Sequence, residues 1–306
     1  MKNIYHKLIL LLLLPAMTGC RYSFDIEDSG IEPCICVVSY ICADSLFNAD
    51  VYKSVPVHQA GKADMDLVSP SYSLKCNGKE VETVSRDIDT HGIGIASRTF
   101  KAGDKLELTV SAEGMETVMA TTIVPGCFPE HSAETYVDEQ GNNCARIHYK
   151  DDRHSDDYYA VAVETSTTIQ YEDSDPFIIT GFAMPQAGHN EISIDPSAYS
   201  PVVHQFGDRC LFIWSDEENE DDIYELKYMT NRYSNVTETA VRFHLYRLSK
   251  EMYRYLYAQY DSTYNPFAYM GLSSPSFTYS NVLNGAGCFC AYSVVRSDWM
   301  KINMEE

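Results

Sequence analysis

Lysine and arginine are scarce in this chain: 23 basic residues stand against 44 acidic ones over 306 positions, for a formal charge of −21. Nucleic acid and bare anionic lipid need clustered cations to neutralise phosphates, so neither suits it as a partner. Catalytic signatures are missing as well. The chain has no Gly-x-Ser-x-Gly elbow, no Ser-x-x-Lys, no His-Glu-x-x-His, no Walker loop and no Cys-x-x-Cys. Gly92-Ile93-Gly94-Ile95-Ala96 resembles a dinucleotide loop only superficially, because the third glycine, the preceding strand and the following helix are lacking. The sequence is therefore read as a non-enzyme without a cofactor. No run of about eighteen apolar residues occurs, which excludes a spanning helix of ordinary length. With 45% apolar, 12% aromatic and 22% charged residues, the chain has enough apolar content for a folded, aqueous protein of two ordinary domains.

What is present begins at the amino terminus. Residues 1–19 join a basic start to an apolar run, Leu8 to Leu14, with a Pro15 break and small residues, which is the grammar of a secretion signal. The ending Met17-Thr18-Gly19-Cys20 resembles a bacterial lipobox, in which the bond before the cysteine is cut and Cys20 is acylated. Several acyl chains, each contributing about 0.8 kcal/mol per buried methylene, would hold the mature protein on a membrane. Loss of Lys2 and Lys7 with the signal takes the charge from −21 to −23. Residues 20–30 are polar without period and read as a tether.

From Cys34 to Val124 short alternating runs are bounded by turn residues. Asn77-Gly78 between Ser73–Cys76 and Lys79–Glu82 predicts a two-residue hairpin, because both central positions of that turn need positive φ. Ala102-Gly103-Asp104 leads into Leu106, Leu108 and Val110 at period two. Residues 31–126 are expected to form an immunoglobulin-like or transthyretin-like sandwich. Residues 127–306 are expected to form a second β-rich body, an antiparallel sheet or barrel-like domain. In it Ala145–Lys150 and Tyr158–Gln170 should form a hairpin, and a last strand, Ala286–Val295, should pair with an earlier one. The one helix is predicted over 249–260, with Ser249 as N-cap and Met252, Leu256 and Tyr260 on its inner face beside Tyr253 and Tyr257. The fold class is thus all-β with one short helix.

Several segments together carry a resemblance. They are Ala102–Leu108 with Thr121–Pro125, Asp157-Tyr158-Tyr159, Phe212–Asp216, Tyr253-Arg254-Tyr255 and, most specific, Tyr279–Phe289 with its Asn-x-x-Asn-Gly-x-Gly-x-Phe pattern. They resemble a Bacteroidota lipoprotein family known as domain of unknown function 4249, over nearly all of the mature chain. The resemblance implies an outer-membrane lipoprotein, anchored by lipid such as palmitate, often encoded beside a TonB-dependent transporter. On that basis the protein is expected to be an accessory or ligand-capturing component of a TonB-dependent uptake system. It would sit on the outer membrane, at the cell surface or on the periplasmic face. A structural or adhesive surface lipoprotein is the alternative, and a hydrolase without a recognisable motif is third. Two departures stand out: an acidic loop after Asp216, and Cys288 and Cys290 where apolar residues are expected.

Individual residues suggest further sites. Asp216, Glu218, Glu220 and Asp222 lie in a run with six carboxylates in seven residues, which are oxygen ligands of the type calcium takes, although the EF-hand spacing is absent. A solvated loop accounts for the same run. Asp44-Ser45-Leu46 and Asp261-Ser262-Thr263 resemble a short O-glycosylation sequon, making Ser45 and Ser262 candidates. Tyr255, expected on the helix face opposite the core, is a candidate for stacking on a ligand. The nine cysteines other than Cys20 include two same-face pairs, Cys34/Cys36 and Cys288/Cys290. They are compatible with buried thiols, with structural disulfides or with metal ligation.

Overall fold

The protein is described by a computed structural model covering residues 32–55, 64–85, 92–151, 155–172, 174–186, 192–194, 209–218, 222–231, 233–264 and 279–302. Cys20, the tether and Glu220 lie outside the described residues. In chain order the first strands are β1 (Ile35–Cys42), β2 (Leu46–Lys53), β3 (Ser71–Cys76), β4 (Lys79–Val81), β5 (Val84–Ser85), β6 (Gly92–Thr99), β7 (Lys105–Ser111) and β8 (Val118–Ile123). There follow β9 (His131–Val137), β10 (Asn143–Tyr149), β11 (Tyr158–Ile169), β12 (Phe177–Phe182), β13 (Met184–Pro185), β14 (Ser193–Ile194), β15 (Leu211–Ser215), β16 (Ile223–Met229) and β17 (Val236–Leu248). Helix α1 (Lys250–Tyr264) precedes β18 (Val282–Leu283), β19 (Ala286–Arg296) and β20 (Met300–Lys301). Among the described residues the fold is all-β with one α-helix, as the alternation implies.

Local signals are realised closely. β3 and β4 form the expected hairpin, with Asn77 at φ 52° and Gly78 at φ 77°. β7 buries Leu106, Leu108 and Val110, one face of a half-buried strand. The Gly92–Ala96 stretch is part of β6. Ser249 caps α1, its Oγ accepting from the Met252 N–H at 3.3 Å and the Ala291 N–H at 3.2 Å.

Three sheets assemble around these elements. An eleven-stranded sheet runs β14-β15-β11-β17-β19-β1-β2-β6-β5, with β12 also on β11 and β20 on β17. Two smaller sheets, β18-β8-β7-β3-β4 and β13-β16-β10-β9, stand against it. The first packs Leu74, Leu106, Leu108 and Val118 on Val37, Ile41, Phe47 and Phe289. The second packs Ile147, Tyr149 and Leu226 on Tyr159, Val161, Phe212, Trp214 and Phe243. Each such fully buried side chain contributes about 1.5–3 kcal/mol. On β19, Phe289 and Ala291 join the first core and Val295 packs against the second, so one side of that strand serves both. The opposite side, with Cys288, Cys290, Tyr40, Tyr246 and Leu248, is covered by α1. The two cysteines are fully buried there; they act as the small apolar residues their positions require, and share a face as their spacing predicts.

One expectation is corrected and another is borne out and extended. β10 and β11 do not form a hairpin: β10 pairs with β9 and β16, whereas β11 pairs with β12, β15 and β17. They face one another across the core, with Tyr149 and Tyr159 ring centroids 5.1 Å apart. Both strands carry large apolar residues on one side, and these are buried by stacking two sheets rather than extending one. The end of the chain does pair with an earlier strand, but β19 also runs parallel to β1, the first strand described, from Cys36↔Ala286 to Cys42↔Tyr292. One sheet therefore contains strands from both halves of the sequence.

The most specific sequence pattern, Asn281 to Phe289, has a structural explanation. Asn281 Nδ2 donates to the Phe289 carbonyl (2.7 Å) and the Thr121 carbonyl (3.1 Å), while its Oδ1 accepts from the Phe289 N–H (2.9 Å). Asn284, at φ 62°, donates to the Thr117 carbonyl at 3.3 Å. Asn281 thus ties β8 to β19, and Gly287 lets β1 approach.

On the helix-covered side of the large sheet Glu164 accepts from Arg242 Nε at 2.5 Å and His244 Nε2 at 2.6 Å. Burial pushes the His244 pKa down, and the charges of Arg296 and Arg209 add to this against the opposing pull of Glu164. The folded protein therefore protonates this imidazole less readily than the unfolded chain, which takes up a proton near the ordinary value of 6.5. Its contribution is complete above that value and is lost as pH falls below it. The melting temperature should decline from about pH 7.5 to about pH 5.5, and His244→Asn should flatten that part of the profile. An unchanged slope in the variant would assign the decline to other groups.

Candidate functional site

The tyrosines concentrated between Tyr246 and Tyr292 in the sequence separate into core and surface when α1 docks. Met252 and Leu256 are fully buried, Tyr253 and Tyr255 nearly so, and Tyr257 is 42% exposed. This corrects the expectation for Tyr255, which is 6% exposed and packs in the core with Tyr40, Cys288 and Cys290. At about 100° per residue, Tyr255 lies only about 60° from Met252 and falls inside the buried arc; Tyr257 lies about 140° away and faces outward. Burial, reinforced by Tyr255 and the two thiols, pushes the Tyr40 phenol up. Tyr255 is thus a packing residue, and the accessible ring is Tyr257.

Around Tyr257 lies a cleft of about 420 Å³, lined by Tyr158, Ser215, Glu217, Tyr253, Arg254, Tyr257, Ala258 and Tyr279. Pockets that take small ligands fall in the same range, about 300–1,000 Å³. Tyr158 and Tyr253 stack with centroids 4.8 Å apart and planes at 28°, and Tyr257 continues the row at 6.0 Å from Tyr253. Burial raises the Tyr279 pKa and Glu251 adds to it, whereas Arg254, which hydrogen-bonds the phenol, opposes the shift. The cleft thus offers ring faces, phenolic hydroxyls, a guanidinium and a carboxylate together. It can hold a ligand that has both flat apolar faces and hydrogen-bonding groups.

The segments that carry Tyr158, Ser215 and Glu217 are tied together by the residues beside them. Asp216 accepts from the Asp157 N–H at 3.0 Å and the Glu217 N–H at 2.8 Å, and its own N–H donates to the Asp157 carbonyl at 3.1 Å. Burial raises the Asp216 pKa, and the charges of Asp151 and Asp157 add to that, against the two N–H donors. Beneath this, Arg247 clamps Asp157 with Nε at 3.2 Å and Nη2 at 2.5 Å. Segments carrying the family resemblance meet at the cleft: Tyr158 from Asp157-Tyr158-Tyr159, Ser215 from Phe212–Asp216, Tyr253 and Arg254, and Tyr279. Sequence reasoning missed Tyr158, Tyr257 and Tyr279 as site residues, although the tyrosine concentration and these segments were the available signals.

The other candidates are dispersed. Asp216 is occupied by backbone donors, and Asp222, at φ 56°, accepts from the Tyr149 N–H through its carbonyl at 3.0 Å. Glu220 and the Glu218 side chain lie outside the described residues. Among the described residues no three His, Cys, Asp or Glu side chains gather to hold a metal ion. Ser45 is exposed in the turn joining β1 and β2, while the Ser262 side chain lies outside the described residues. All nine cysteines other than Cys20 are free thiols, and Cys127 is exposed. Among the described residues no helix is long and apolar enough to cross a membrane.

No curated protein sequence matches the chain. Among solved structures, a two-domain fibronectin type III segment from chicken tenascin is similar at 13% identity over 71% of this chain and 90% of that one, with a TM-score of 0.21. A model of the family described as domain of unknown function, DUF4249, matches residues 21–298. The chain belongs to the DUF4249 family.

Proposed function

We propose that the protein is a binding protein anchored to the outer membrane through Cys20, which captures a small ligand in the tyrosine cleft for a TonB-dependent transporter. The observation that carries the capturing role is the cleft itself: stacked Tyr158 and Tyr253, the exposed Tyr257, and Arg254 and Glu217 around about 420 Å³. The lipobox and the family support the membrane and transporter parts. Tethering near a transporter mouth raises the local concentration of captured ligand without any further contact. Among the described residues the lining brings no nucleophile into a hydrogen bond with a base, and the reading is therefore binding.

The test is recovery of the tagged native protein in gentle detergent. A TonB-dependent transporter should co-purify, and a small molecule should be seen bound by native mass spectrometry. Tyr257→Ala should leave the transporter bound and weaken the small molecule about tenfold, because removing one stacking face is worth about 1 kcal/mol or somewhat more. Absence of a transporter rejects the uptake role, and undiminished ligand in Tyr257→Ala rejects the cleft. The structural or adhesive alternative has one observation in its favour. Tyr171 and Phe177 stack at 6.2 Å and, with Ile178, are exposed around the start of β12, a surface suited to another protein.

A further inference from the structure

β12, Phe177–Phe182, lies at a border of the eleven-stranded sheet and, among the described residues, pairs with β11 alone. The Ala183 N–H donates to the Val163 carbonyl at 2.9 Å, in the register that sets Phe182 opposite Glu164. Odd-numbered residues of β12 therefore turn their N–H and C=O toward β11, while Ile178, Thr180 and Phe182 turn theirs outward. The same parity holds across β11, where the Gln170 N–H donates to the Asn235 carbonyl on the β17 side at 3.0 Å. None of the three outward-facing residues has a backbone bond on that edge to a described residue. Ile178 is 65% exposed.

A row of unpaired N–H and C=O groups accepts another strand, so sheet borders are ordinarily blunted by charge, proline or a bulge. β12 has none of these: Phe-Ile-Ile-Thr-Gly-Phe is uncharged, and its register with β11 runs unbroken. Pro176, just before it, closes the row at that end, since it has no N–H to offer.

We propose that this border pairs antiparallel with the same strand of a second copy of the chain, about a twofold axis at Ile179. In that register Ile178 of each copy meets Thr180 of the other, outward group to outward group, for roughly four backbone hydrogen bonds. Phe177 then covers Gly181 of the other copy, the residue of the strand that has no side chain of its own. The two Ile179 side chains stand side by side. A shift of two residues in either direction takes Phe177 off Gly181, and in one direction it also sets Thr180 against Pro176. The strand is thus complementary to itself, and no charge of the acidic chain lies within it to oppose its twin. Because both copies use the same surface, the contact closes at two. Copies anchored on one membrane meet at a raised effective concentration, which lets a contact this small suffice. The pairing makes no use of the tyrosine cleft.

The test uses the full chain in detergent, with Cys127→Ser as the parent because Cys127 is an exposed thiol. Sedimentation velocity should show reversible dimerisation with a Kd on the order of 10–100 µM. Ile178→Lys should raise that Kd at least about tenfold and leave the melting temperature unchanged, since the side chain is exposed in the single copy. Ile179→Cys should form a covalent dimer under mild oxidant, because the two Cβ atoms face one another at about 4.5–5.5 Å in this register. Thr180→Cys, which faces Ile178 instead, should not. The proposal is overturned if the parent stays monomeric up to about 500 µM, if Ile178→Lys dimerises as well as the parent, or if Thr180→Cys cross-links as readily as Ile179→Cys. A border occupied by another segment of the same chain, or reserved for a different protein, gives the first of these results.

Discussion

Gly287→Ala should prevent stable folding or reduce stability by at least about 3 kcal/mol, among the largest effects of any single methyl group in this protein. A Cβ on Gly287 would lie 2.0 Å from the Val37 carbonyl oxygen and 2.9 Å from its carbon. Those atoms belong to backbone, which cannot rotate away. Gly287 also sits at φ 112°, a region that a residue with a Cβ enters only under strain. The clash falls at the Val37↔Gly287 step of the β1–β19 pairing, which joins the first strand described to the last long one. Gly114→Ala is the control, because Gly114 has φ 73° but nothing within 4 Å of where its Cβ would lie. It should cost about 1 kcal/mol. Urea denaturation of both variants separates the two: equal losses would show that φ alone, and not the approach of β1, makes Gly287 necessary.

Asp157→Ala should cost about 3–5 kcal/mol, because it leaves the Arg247 guanidinium partly buried without its carboxylate. The pair lies beside Gly126, which is in the segment between β8 and β9. Arg247 Nη1 is 3.1 Å from where a Cβ on Gly126 would lie, and Ser293 Oγ donates to the Gly126 carbonyl. The side chains of Arg247 and Asp157 are 25% and 12% exposed, so solvent screens them only in part. The double variant Asp157→Ala/Arg247→Met should recover most of the loss, since an apolar chain of similar length needs no counter-charge. Chemical denaturation gives the answer, and a double variant no better than Asp157→Ala would assign the loss to the bonds that Asp157 shares with Asp216 instead.

Much of the local structure was legible in the order of residues. Asn77-Gly78 specified a hairpin because few dipeptides tolerate positive φ twice, and alternation in Leu106, Leu108 and Val110 specified which side of β7 is buried. Ser249 marked the helix start because its hydroxyl can meet an otherwise unpaired N–H. The helix also showed the limit of such reading. Its inner stripe was identified from Met252 and Leu256, but the width of the buried arc was not, so the environments of Tyr255 and Tyr257 were exchanged. That width depends on the sheet against which α1 lies.

The amino-acid sequence by itself determined the strand-rich class, the tight turns, the capped helix and membership of the family, because all of these are encoded in neighbouring residues and short patterns. The tertiary structure alone decided that β19 lies parallel to β1, that β10 and β11 belong to opposing sheets, and that Tyr158, Ser215, Arg254, Tyr257 and Tyr279 enclose one cleft. These depend on pairings between residues far apart in the chain, which leave no period in the sequence. They are chosen by which faces can be buried together, and by the close approach of β1 that Gly285 and Gly287 permit.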